Sequence, residues 1–185
     1  MDGCYLEARD VAGLRAEAAR ALQEGVGAVL LAQGPLGDPF VLLAALNDAV
    51  PDVLLGAQVV LGGAEGEERH PALLAREATG LDLVDGGRTV LCFGPPFGEG
   101  LGEAIELCRA MWREGTAVSD GPVYPVPGAI NRPMPASARS PLIAVDLRGP
   151  GAREEAGGAA ASADLIVLRG DGGGTSCRLE PVGRG

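Results

Sequence analysis

Lysine is absent from this 185-residue chain, so all 15 of its basic side chains are arginine. Twenty-five aspartates and glutamates bring the formal net charge to -10. Nucleic acid and an anionic membrane surface would both repel such a chain, and neither is expected as a partner. Histidine occurs once, at His70. The four cysteines, Cys4, Cys92, Cys108 and Cys177, show no paired spacing. They are expected as small buried hydrophobes, without disulfides or a metal site. No apolar run is long enough to span a bilayer. The N-terminus lacks the basic region and long apolar run of a secretory signal, so a cytoplasmic protein is expected. The arginine bias, with abundant Ala, Gly and Val, points to a high-GC bacterial source. A complete (β/α)8 barrel typically takes roughly 250 residues, and this chain is well short of that.

What is present is a steady alternation of apolar stripes and short apolar runs. Asp10 is a fitting N-cap for a helix through Glu24, with Val11, Leu14, Ala18 and Leu22 as its stripe. Ala28 to Ala32 reads as a buried strand. Asp38-Pro39 opens the next helix, to Ala49, with Leu42, Leu46 and Val50 inward. Leu54 to Leu61 is a strand, and 62–68 an acidic, glycine-rich surface loop in which Glu65, Glu67 and Glu68 are solvated. Pro71 starts a helix carrying Leu74, Ala78 and Leu81, and Asp85-Gly86-Gly87 ends it. Thr89 to Phe93 is a strand stopped by Gly94-Pro95-Pro96. A helix from about Gly100 to Glu114 buries Ile105, Cys108 and Met111 or Trp112. Residues 115–140 read as a long irregular loop. Leu142 to Asp146 is a strand, a helix runs through Ala161, and Asp164 to Leu168 is the last clear strand. Cys4 to Glu7 reads as a degenerate first strand, and 169–185 as a flexible tail or terminal hairpin. Continuous apolar strands alternating with helices predict one domain, 1–185, with a parallel sheet and outer helices. Periodicity alone does not separate a barrel from an open sheet.

The stretch Arg69 to Gly94, RHPALLAREATGLDLVDGGRTVLCFG, closely resembles the bacterial luciferase-like flavin monooxygenases. That family includes reductases and dehydrogenases using the deazaflavin coenzyme. The resemblance extends from about Val11 to Leu168. Asp38 to Leu46, Leu55-Gly56-Ala57, Ala104 to Trp112, Asp120-Gly121 with Tyr124, Gly149 to Arg153 and Ala163-Asp164 are all similar to family segments. It implies a truncated (β/α)8 barrel and an oxidoreductase, a monooxygenase or a deazaflavin-dependent reductase, that acts on a small organic substrate with reduced flavin. It implies FMN or the deazaflavin coenzyme as cofactor, lined by Gln33, Gly56, Ala57, Gly94, Arg148, Gly149 and Gly151. It also implies a dimer through helices 39–49 and 71–84.

Three departures stand out. Gln33-Gly34-Pro35 occupies the place of the family's Glu-His or His-His pair. The segment Pro95 to Gly100 is shorter than in relatives. The chain stops near what would be the sixth strand, so an unclosed barrel is expected, its edge covered by a second copy or a partner chain. No residue stands out as catalytic. A catalytically degenerate binding or assembly subunit is therefore the alternative. His70 is open to two readings, a general base or the residue ordering the start of a helix, and the second is favoured. Arg148-Gly149-Pro150-Gly151 reads equally as a phosphate cradle or as a glycine-rich turn.

Overall fold

The computed structural model describes residues 1–61, 69–136, 141–170 and 174–183. In chain order these form β1 (Asp2–Tyr5), α1 (Val11–Gln23), β2 (Ala28–Ala32), α2 (Pro39–Leu46), β3 (Leu54–Val60), α3 (Pro71–Asp85), β4 (Thr89–Gly94), α4 (Leu101–Glu114), β5 (Thr116–Ser119), β6 (Val126–Ile130), β7 (Leu142–Asp146), α5 (Ala152–Ala156), β8 (Leu165–Arg169) and β9 (Ser176–Pro181). The acidic loop reading for Glu65, Glu67 and Glu68 lies outside the described residues.

Local chemistry explains the boundaries. Asp10 accepts from the Gly13 N–H, and Asp38 accepts from the Phe40 and Val41 N–H groups ahead of α2. Pro39 and Pro71 stand in the first helical turns, where a missing N–H leaves no bond unmade. Gly86 (φ 75°) and Gly115 (φ 71°) end α3 and α4 in the left-handed conformation that glycine adopts without a Cβ clash.

The strands close into a barrel in the order β1, β2, β3, β4, β7, β8, β9. Neighbours from β1 to β8 are parallel, as the continuous apolar runs predict. The closure corrects the expectation of an open edge. β9 pairs antiparallel with β8 (Leu168 opposite Arg178) and with β1 (Gly3 opposite Cys177). One strand from the sequence's supposed tail therefore supplies ladder partners on both sides, and no edge is left between β1 and β8.

Side-chain alternation divides the apolar residues between two cores. Tyr5, Leu30, Val90, Cys92, Ala144, Val167, Cys177 and Leu179 fill the barrel interior. Val29, Leu55, Ala57, Leu91, Phe93, Ile143 and Val145 point outward onto the helices. Cys92, Cys108 and Cys177 are buried, Cys4 is half-buried and all four are free thiols.

Several local readings change. The first strand lies at 2–5 rather than 4–7. In α2 the buried residues are Pro39, Phe40, Leu43 and Leu46, while Leu42 is only partly buried. Val11 is exposed at the start of α1. Helix α5 is a single short turn followed by a 3-10 turn at 157–162. Residues 116–130 form an antiparallel hairpin, not an irregular loop. Its tip is pinned by Glu103 of α4, which accepts from the Val123 and Tyr124 N–H groups at 3.1 and 2.8 Å. No helix among the described residues is long and apolar enough to cross a membrane.

Candidate functional site at the barrel mouth

Asp146, the last residue of β7, turns into the barrel and is 2 % exposed. Its Oδ2 accepts from Tyr5 Oη at 3.0 Å and from Gln58 Nε2 at 2.9 Å. Arg148 grips both carboxylate oxygens, Nε at 3.0 Å from Oδ1 and Nη2 at 2.9 Å from Oδ2, and its backbone N–H donates to Oδ1 at 2.9 Å. The guanidinium also lies 3.7 Å from the centroid of the Tyr5 ring. β1, β3 and β7 thus each send one polar side chain into the same layer, at the C-terminal ends of the parallel strands. That end is where barrels of this kind bind ligands.

The electrostatics follow from burial. Desolvation works against the charged form of Arg148, but the Asp146 carboxylate outweighs it and raises the Arg148 pKa. Burial, reinforced by Cys92 and Asp146, pushes the Tyr5 phenol far above its ordinary value, so it stays a proton donor. Burial likewise raises Cys177 to about 12. Gly94 completes the arrangement, because a Cβ there would overlap the Gln58 amide.

The other expected site residues distribute unevenly. Gln33 follows β2, half-buried, and its N–H donates to the Gln58 carbonyl at 3.0 Å. Gly149 lies across from Pro95, so the loops after β4 and β7 meet at the mouth. Gly56 faces inward one layer deeper, where Leu30 fills the space a side chain would take. Ala57 faces the helix layer. Gly151 adopts φ 74° with open space around it. His70 uses Nδ1 to accept from the Ala72 N–H at 3.1 Å, and its ring meets Tyr124 edge-on at 5.6 Å. Trp112 donates Nε1 to the Ala75 carbonyl at 3.0 Å and packs on the helix-side core.

Tyr5, Gln58 and Asp146 were not legible as site residues. The signal for Asp146 is a charge ending a buried apolar run, and for Gln58 an amide inside one.

A phosphate fits this mouth poorly. Arg148 is already paired with a carboxylate. α5 spans only five residues, and its first turn carries Glu154 and Glu155. The Glu155 carboxylate accepts the Phe97 N–H at 2.6 Å. Away from the mouth, a cleft of about 450 Å³ lies between α2 and α3, lined by Asp38, Phe40, Val41, Ala44, Glu77, Gly80 and Leu81. Arg69 bridges Asp38 and Glu77 there.

No family model matches this sequence, and no curated protein does. Solved structures do. Monooxygenase RslO1 from Streptomyces bottropensis is 22 % identical, with a TM-score of 0.60 over 83 % of this chain and 56 % of its own. The coenzyme F420-dependent tetrahydromethanopterin reductase from Methanopyrus kandleri is 14 % identical, with a TM-score of 0.70 over 90 % of this chain and 54 % of its own. An F420-dependent secondary alcohol dehydrogenase is 16 % identical, with a TM-score of 0.69 over 90 % and 57 %. The chain therefore spans about half the length of these proteins. Over the matched span its fold is the one shared by this monooxygenase and these F420-dependent enzymes, and its barrel is closed by the antiparallel strand β9.

Proposed function

We propose that this chain is an oxidoreductase of the luciferase-like kind, acting on a small organic substrate with a reduced flavin or deazaflavin at the barrel mouth. The observation that carries the reading is the buried Asp146 carboxylate, held by Tyr5, Gln58 and Arg148 at the strand C-termini. Buried polar networks at that end of a barrel belong to ligand sites more often than to stability. In such enzymes the cofactor carries the oxygen or hydride chemistry, and the protein orients it. Here Tyr5 holds a proton and Arg148 a fixed positive charge. Equilibrium dialysis of the purified chain against FMN and against the deazaflavin coenzyme tests the reading. Saturable binding of either below about 100 μM supports it, a range typical of substrate-level sites.

A second reading is a degenerate subunit that binds or assembles without turnover. Two observations favour it: Gln33 stands where the resemblance expects a histidine, and both oxygens of the Asp146 carboxylate are paired within the chain. Failure of both cofactors to bind leaves that reading in place.

We further propose a homodimer across the α2–α3 face. It exposes Val41 (66 %), which lines the cleft, and Leu73, Leu83 and Val84 of α3, and apolar patches of this kind mark interaction surfaces. The closed barrel needs no partner to cover an edge.

A further inference from the structure

We propose that this mouth recognises the flat ring system of a flavin-type ligand and leaves its phosphate in solvent. The ligand class is a planar heterocycle bearing carbonyl acceptors. This rests on the proposed function and narrows it.

The guanidinium of Arg148 is fixed on two sides. One edge is hydrogen-bonded to Asp146, and one face lies on the Tyr5 ring at 3.7 Å. Nη1 has no protein acceptor among the described residues, and the side chain keeps 24 % of its exposure. An arginine held this way offers a second planar face for stacking and a spare N–H pair for a carbonyl. Its charge, however, is already matched by the Asp146 carboxylate, so little attraction is left for an anion.

The neighbouring turn supports the same conclusion. Gly151 opens onto empty space, α5 is too short to present a useful dipole, and Glu154 and Glu155 put negative charge in its first turn. Glu155 is further committed to the Phe97 N–H. A ribityl phosphate reaching this turn would meet two carboxylates against the single charge of Arg153, on a helix of only five residues.

The test is a side-by-side titration of the full chain with lumiflavin, riboflavin and FMN at low ionic strength, following quenching of flavin fluorescence. The three dissociation constants are expected to agree within about threefold, with no gain from the phosphate. FMN binding tenfold or more tightly than riboflavin overturns the proposal. Binding of none of the three overturns it together with the flavin reading itself, whereas tight binding of FMN alone overturns only the proposal. Arg148→Gln and Arg148→Lys, each checked for an unchanged near-UV spectrum, are expected to weaken riboflavin and FMN equally, by about tenfold. Recovery of binding by Arg148→Lys, which keeps the charge and loses the plane, would show that charge is what the site uses and overturn the ring assignment.

Discussion

At the scale of single residues, the decisive feature is how much of the barrel's interior depends on one carboxylate. Asp146 gathers Tyr5, Gln58 and Arg148, and Gly94 leaves room for the Gln58 amide. Gly94→Ala should displace that amide and leave buried hydrogen-bonding groups unmatched. The expected cost is about 1–3 kcal/mol, read from the urea midpoint. Protons give a second test. Tyr5 and Cys177 hold theirs more tightly in the folded chain than in the unfolded one, because burial disfavours both charged forms. Their contribution is complete below the unfolded values, about 8.5 for a thiol and 10 for a tyrosine. It is lost as pH rises past them, and for Cys177 the loss continues toward about 12. Urea unfolding between pH 8 and 11 should show stability falling by up to about 1.4 kcal/mol per pH unit for each such group. Tyr5→Phe should flatten the part above pH 10, and an unchanged slope would contradict the assignment. This cluster was hard to read in the sequence because its members are spread over 141 positions, from Tyr5 to Asp146. No local period links them, and only closure of the barrel brings them together.

At the scale of elements, the helices and parallel strands were legible because their signals are local: an aspartate or proline at the start, a glycine at the end, a continuous apolar run between. Residues 115–140, read as an irregular loop, lacked such signals, whereas of the two readings of 169–185 the terminal hairpin is the one observed, as β8 and β9. β6 contains Pro127, which demotes a run as a strand. β9 alternates Cys177 and Leu179 inward with Arg178 and Glu180 outward, the pattern of an antiparallel strand. It follows a glycine-rich stretch that reads as a tail. β9 is nevertheless the element that closes the barrel, and Leu179 is 1 % exposed within it. Leu179→Ala should cost about 2–5 kcal/mol, as measured by thermal or urea unfolding. A loss under about 0.5 kcal/mol, the scale of a surface change, would show that β9 is not packed into the barrel.

At the scale of the whole molecule, a chain of about half the length of its structural neighbours still completes a barrel. It does so with one antiparallel strand, β9, laid between β8 and β1. The result is a barrel without free edges, so self-association, if it follows the α2–α3 face, rests on exposed apolar side chains rather than on unpaired backbone. Light scattering at micromolar concentration should return the mass of a dimer, and Val41→Glu should return that of a monomer. A monomeric wild-type chain would contradict the proposed interface. The fold likeness was legible from Arg69 to Gly94, yet the closure was not, because the strand that makes it lies beyond the resemblance. The central claim is that the ligand site lies at the strand C-termini around Arg148. Crystals of the chain grown with saturating riboflavin test it most directly. Ring density stacked against the Arg148 guanidinium is expected; density in the α2–α3 cleft alone, with the mouth unchanged, would contradict that placement.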